Sequence, residues 1–213
     1  MACVTALCFG LVTISDCNPN AIHGSGVSKT ESRAVGSFSK IDLAGSPDVD
    51  VTVGPAASVS VTTDDNLLPL IETTVNGDTL SIGSKDSYNT SIGVKVNITV
   101  PMLDDVSVSG SGDIHVTGLT AGDFESRVTG SGDVTASGVV DRLSARITGS
   151  GDLRAGDLTA KHVHVNVTGS GDATIHATEE LDATVTGSGD VHYSGNPTQV
   201  RKSITGSGDI SGH

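Results

Sequence analysis

The chain has 213 residues, enough for one domain of ordinary size behind a short leader. Its formal net charge of −13 repels phosphate backbones and anionic lipid surfaces, which argues against nucleic-acid binding and leaves the membrane within reach only through a lipid anchor. With three Phe, two Tyr and no Trp, the interior has to be a thin one of Val, Ile, Leu and Ala, and the 20 Asp against 5 Glu suit turns rather than helices.

Ala2 to Ile14 is an uncharged run of 13 residues, too short to span a bilayer but suited to the apolar region of an export signal. No Lys or Arg precedes it, as though the start were truncated. Ile14-Ser15-Asp16-Cys17 is similar to a bacterial lipoprotein cleavage box, although Asp16 departs from the small residue usual there. Residues 1–17 are therefore expected to direct export to the periplasm, outer membrane or cell surface. Cys17 is then either lipidated or left behind by ordinary cleavage nearby. Residues 18–35 are polar and aperiodic and read as a flexible tether.

The body, 36–213, divides at about residue 103. In the first half Ile41, Leu43, Val49, Val51 and Val53 alternate with polar residues around Gly45-Ser46-Pro47-Asp48. Ser58 to Thr62, Thr79 to Ile82 and Val94 to Val100 alternate likewise, and Asn66 to Glu72 suits a short helical turn limited by Pro69. Asn76-Gly77 between two such runs signals a tight hairpin.

The second half, 104–213, carries one tetrad six times: Gly110-Ser111-Gly112-Asp113, Gly130-Ser131-Gly132-Asp133, Gly149-Ser150-Gly151-Asp152, Gly169-Ser170-Gly171-Asp172, Gly187-Ser188-Gly189-Asp190 and Gly206-Ser207-Gly208-Asp209. Gly45-Ser46-Pro47-Asp48 is a degenerate seventh copy. The spacings are 20, 19, 20, 18 and 19 residues. Aligned on the Asp, the positions five before it (Val108, Val128, Ile147, Val167, Val185, Ile204) and one after it (Ile114, Val134, Leu153, Ala173, Val191, Ile210) are apolar. So are the positions nine before it from the second copy onward (Phe124, Leu143, Val163, Leu181, Val200). The positions six before it (Ser107, Arg127, Arg146, Asn166, Thr184, Ser203) are polar. Each unit then reads as strand, corner, strand and a second turn of variable length, and short strands of this kind bury their apolar side only by stacking. The prediction is an all-β, right-handed parallel β-helix with coils of ~20 residues and neighbouring coils ~4.8 Å apart. A propeller blade needs ~40 residues.

Stacking turns each position into a column. Ser109, Thr129, Thr148, Thr168, Thr186 and Thr205 should form a hydroxyl ladder, and the six tetrad Asp residues an acidic one. Unit charges ~5 Å apart repel by roughly 0.8 kcal/mol in water, so the acidic ladder needs compensation. Two forms of it are open. Each carboxylate accepts backbone N–H groups of its own turn while the glycines take positive φ, or calcium ions bridge neighbouring coils. One Asp per ~20 residues supplies few ligands for calcium, which favours turn chemistry and no cofactor. His162 and His164 share one face of a strand, with no carboxylate placed beside them by spacing alone, and no metal site is assigned. His115 and His192 share a column but stand four coils apart, and Glu179 and Glu180 read as solvated residues of a variable turn. No nucleophile elbow, phosphate loop or zinc spacing occurs, so no catalytic residue is assigned.

The repeated Val-Thr-Gly-Ser-Gly-Asp-Val resembles the bacterial head GIN domain family of autotransporter-type adhesins, whose function is unknown. Phe38-Ser39-Lys40-Ile41, Asp65-Asn66-Leu67-Leu68-Pro69 and Tyr193-Ser194-Gly195-Asn196-Pro197 also resemble that family, so the likeness spans about 36–213. It implies an exported or surface-anchored β-helix that binds an envelope protein or a polysaccharide, and it transfers no catalytic residue. The second reading is a polysaccharide lyase or hydrolase on the same scaffold. Only four residues follow the last tetrad, too little to cap a coil, and an unprotected edge invites weak end-to-end self-association.

Overall fold

The computed structural model describes residues 21–212, and the leader with Cys17 lies outside them. The described chain is a β-solenoid of about five turns. Its strands, in order, are β1 (Ile22–His23), β2 (Ser28–Arg33), β3 (Lys40–Gly45), β4 (Asp48–Val53), β5 (Ser58–Asp64), β6 (Ile71–Asn76), β7 (Thr79–Ser84), β8 (Tyr88–Asn89) and β9 (Lys95–Val100). β10 (Asp105–Gly110), β11 (Ile114–Gly130), β12 (Val134–Gly149), β13 (Leu153–Gly169), β14 (Ala173–Gly187), β15 (Val191–Ser194), β16 (Gln199–Gly206) and β17 (Ile210–Gly212) follow.

From β10 onward every coil pairs in parallel with the next, and the tetrads fall in register: Gly110 opposes Gly130, then Gly149, Gly169, Gly187 and Gly206. The degenerate copy seeds this stack, because Gly45 opposes Gly110. The apolar columns form one continuous core, with Val108, Val128, Ile147, Val167 and Val185 at 0–1% exposure. Alanines at 145, 155, 160, 173, 177 and 183 keep its cross-section narrow, and Phe124 is the one large aromatic fully buried among the described residues.

The stretch between tetrads differs from the expected strand–turn–strand. β11 to β14 run unbroken from one corner to the next, and the variable length is taken up as register slips, such as those between Val116 and Leu119 or Ala155 and Thr159. These slips are bulges in the parallel ladder, each placing unequal numbers of residues on neighbouring coils.

The first half closes one end of the stack with antiparallel strands. The Asn76-Gly77 hairpin joins β6 to β7 with Gly77 at φ +65°, β7 lies parallel to β3, and β9 lies parallel to β4. The helical turn forms as a short 3-10 segment, Leu68–Leu70. β5 pairs antiparallel with β9, and β2 with β5. Ser28–Arg33, expected within a flexible tether, is thus a strand of the end cap. Its polar composition reflects an exposed edge position, and it is pinned by a buried carboxylate. Asp64 accepts the Gly26 N–H and the Thr90 hydroxyl, and these bonds, the Thr90 one foremost, hold its carboxyl below the ordinary carboxylate range.

The glycines separate two kinds of site. A Cβ on Gly151 would stand inside the contact radius of the Gly132 carbonyl oxygen and 2.8 Å from the Val128 side chain, whereas one on Gly122 would meet nothing within 4 Å. Gly151→Ala is therefore expected to cost about 3 kcal/mol, some 6–12 °C in thermal midpoint. Gly122→Ala should leave the midpoint within ~2 °C, and equal effects in thermal melts of the two variants would refute this reading of the corner.

Candidate functional site

Three surfaces run the length of the solenoid. The first is the corner itself, where the sequence repeat concentrates. The carbonyl of each first glycine accepts two N–H groups from the coil above: Gly110 from Ser131 at 2.9 Å and Gly132 at 3.0 Å, Gly130 from Ser150 at 2.9 Å and Gly151 at 3.1 Å, and so on up to Gly187. Positive φ values of +121° to +132° at these first glycines aim the carbonyl at the next coil. A Cβ on the first glycine of the coil above would collide with that accepting carbonyl, and one on the second glycine would collide with the second-glycine carbonyl of the coil below. Pro47 replaces the second glycine only in the seed corner, where the chain below is hairpin rather than tetrad and receives no such N–H.

The Asp carboxylates do not cap their own turns, the favoured of the two expected forms of compensation, but bond to the next coil. Oδ1 of Asp113 accepts the backbone N–H of Asp133 at 2.8 Å, and the same bond links Asp133 to Asp152, Asp152 to Asp172, Asp172 to Asp190 and Asp190 to Asp209 at 2.7–2.9 Å. In-register stacking brings the neighbour's N–H closer to the carboxylate than any donor of its own turn. The acidic ladder is further offset by Arg154, whose guanidinium reaches Asp133 at 2.6 Å and Asp152 at 3.0 Å. The Asp133 hydrogen bond foremost raises the pKa of Arg154 above its ordinary value.

The second surface is charged. One column runs Lys40, Asp105, Glu125, Ser144, His164, Asp182, Arg201, and its neighbour runs Asp123, Arg142, His162, Glu180, Gln199. Arg127 clamps Asp105 at 2.8 Å and Glu125 at 2.6 Å, Arg142 meets Asp123 at 2.8 Å, and Arg201 meets Glu180 at 2.6 Å. Asp105 is the most sheltered of these acids, and burial pushes its carboxyl above the usual range against the pull of Arg127. His162 and His164 share a face as expected, and the register supplies the carboxylates that spacing alone did not. His162 lies 3.5 Å from Glu180, and His164 lies 3.7 Å from Asp182. Glu180 is accordingly a strand residue of β14 paired with Arg201, not a solvated turn residue. Among the described residues no group of three or more His, Cys, Asp or Glu is placed to hold a metal ion. His115 and His192 share a column with Thr135, Arg154 and Thr174 between them.

The third surface is neutral. Ser109, Thr129, Thr148, Thr168, Thr186 and Thr205 form the predicted ladder, all exposed, and the tetrad serines Ser111, Ser131, Ser150, Ser170, Ser188 and Ser207 form a second exposed row beside it. Together they make a strip two hydroxyls wide, with one pair added per coil.

Comparisons with known proteins agree with this architecture. Residues 37–197 match the family model described as "Putative auto-transporter adhesin, head GIN domain". A solved "putative adhesin" from Bacteroides fragilis shares 29% identity over 91% of this chain and 100% of its own, with a TM-score of 0.76. A "putative lipid binding protein" from Parabacteroides distasonis shares 27% identity over 91% and 99%, with a TM-score of 0.61. No curated protein matches the chain.

Two substitutions at one tetrad separate the roles of charge and hydrogen bond. Asp172→Ala removes the acceptor of the Asp190 N–H and is expected to cost about 1–2 kcal/mol, while Asp172→Asn keeps an oxygen there and should cost less than half as much. Denaturant titrations showing equal losses for the two would count against the ladder.

Proposed function

Because the chain belongs to the head GIN domain family, we propose that it is an exported, non-enzymatic surface module that holds a neutral polysaccharide along its hydroxyl strip. The observation that carries this reading is the strip itself: exposed Thr and Ser hydroxyls repeating once per coil over six coils. A polymer whose own groups repeat matches such a surface better than a small molecule, since each coil adds one weak, equivalent contact and the contacts sum. The net charge of −13 disfavours polyanions and leaves neutral chains as the class that suits it. Export, and anchoring through Cys17, are part of the same proposal and rest on the apolar stretch before that residue.

The adhesin description of the family and of the Bacteroides fragilis structure supports a binding role at the envelope. The lipid-binding description of the Parabacteroides distasonis protein has less support in this chain. Its exposed large apolar side chains, Ile22, Val27, Ile92, Met102, Val139, Val200 and Ile204, are spread over the end cap, the coil sides and the last coil.

A carbohydrate-active enzyme draws on one observation, the upshifted Asp105 beside Glu125 in a shallow groove with Lys40, Asp123 and Arg142. Both acids are held by the same Arg127 guanidinium, an arrangement that neutralises them rather than leaving one free to protonate a leaving group.

Co-sedimentation of the protein with insoluble neutral polysaccharides, with reducing ends assayed in the supernatant, tests the proposal. Retention on at least one polymer, lost in the Thr148→Lys/Thr168→Lys double variant and accompanied by no reducing ends, is expected. Retention unaffected by the double variant, or release of reducing ends that Asp105→Asn abolishes, would overturn it.

A further inference from the structure

The two ends of the solenoid are built differently. One is closed by β2 and β6, both antiparallel to their neighbours. At the other, β16 pairs with β14 on one side, and among the described residues nothing lies against its second side. Val200 and Ile204 continue columns whose previous members, Leu181 and Val185, are fully buried, yet they are 40% and 44% exposed. The acceptors that each lower coil offers to its successor are also unused here. No described N–H reaches the Gly206 carbonyl or the Asp209 Oδ1, whereas Gly187 and Asp190 have theirs filled.

Between the two apolar positions stands Lys202. It opposes Ala183 and so continues the core column of Ala145, Val165 and Ala183. Its side chain crosses the end of the coil to the opposite wall. There the ammonium donates to the Ile210 carbonyl at 2.9 Å and sits 4.8 Å above the Tyr193 ring. Among the described residues no carboxylate forms an ion pair with it. An inward-pointing charge on an edge strand blocks indiscriminate strand addition, because an added strand with an apolar residue there would bury the ammonium without a partner.

We propose that this end is a strand-addition site for an extended segment of another protein with an acidic residue over Lys202 and apolar residues two positions to either side. The register dictates the pattern: apolar over Val200, Asp or Glu over Lys202, apolar over Ile204. The added strand lies parallel to β16, and its backbone amides reach the β16 carbonyls and the free Gly206 and Asp209 acceptors. Main-chain bonds supply the affinity and the alternating side chains supply the selection. Arg201, the outward neighbour of Lys202, is already paired with Glu180, so Lys202 is the charge that selects the partner. A second copy of this chain suits the site poorly, since two such ends pairing antiparallel about Lys202 would oppose like charges. The site adjoins the last hydroxyl pair of the strip, Thr205 and Ser207, but its test does not depend on what the strip binds.

The probe is a peptide of residues 180–190 of this chain carrying Ala183→Glu, which places Leu181, the new Glu and Val185 over Val200, Lys202 and Ile204. The control carries Ala183→Lys. Titration into the full chain, read by amide chemical-shift changes, should show the Glu peptide binding on the order of tenfold more tightly than the Lys peptide, with shifts confined to β15–β17. In the Lys202→Glu protein the order of the two peptides should invert, an outcome that mere loss of folding does not produce. Equal binding of both peptides, no binding of either, or sedimentation showing a dimer of the chain that Lys202→Glu alters would each overturn the proposal.

Discussion

One geometric demand governs this molecule. At each of the six tetrad corners two backbone N–H groups of one coil converge on a single glycine carbonyl of the coil below, and no Cβ fits at that contact. That contact fixes the separation and register of neighbouring coils at one edge of the core, and the strands on either side inherit both. The apolar columns then coincide to give a continuous interior, although no coil has enough apolar surface to fold alone.

Strict register has an electrostatic consequence, because every outward position faces its counterpart one coil away. The chain meets this by setting cations against acids of the neighbouring coil, as Arg142 against Asp123, and by letting a few cations each serve two acids. Arg127 spans Asp105 and Glu125, and Arg154 spans Asp133 and Asp152. Each exposed pair contributes ~0–1 kcal/mol, so their value lies less in stability than in offsetting like charges that stack, such as Asp105 on Glu125. The tetrad acids face one another without such alternation. They are tolerated because each carboxylate has a main-chain donor from the next coil, which converts a column of repulsions into a column of hydrogen bonds.

Much of this was legible in the sequence. The spacing of the tetrads and the alternation of Val128, Thr129 and their equivalents identify a stacked β-solenoid and its faces. Asn76-Gly77 announces its hairpin, and Gly45-Ser46-Pro47-Asp48 is recognisable as the seed corner. What escaped depends on contacts between coils rather than within them. Whether an Asp bonds to its own turn or to the next is a matter of ångströms that composition does not encode. Ser28–Arg33 reads as a linker because an edge strand without an apolar face has no periodic signature, and only its pairing with β5 makes it structural. Lys202 sits in an otherwise small or apolar column, as does Ser126, whose buried hydroxyl finds no partner. In sequence both look like unremarkable polar residues of a strand, and only the register shows that they point inward.

Residue-resolved hydrogen exchange of the native protein tests the corner most directly. The amides of Ser150, Gly151, Asp152, Ser170, Gly171 and Asp172 lie at turns, where backbone ordinarily exchanges fast. The account predicts that they exchange as slowly as the core-strand amides of Val165 and Val167, because all are closed by bonds to the neighbouring coil. Fast, loop-like exchange at these six positions while the strands stay protected would contradict it.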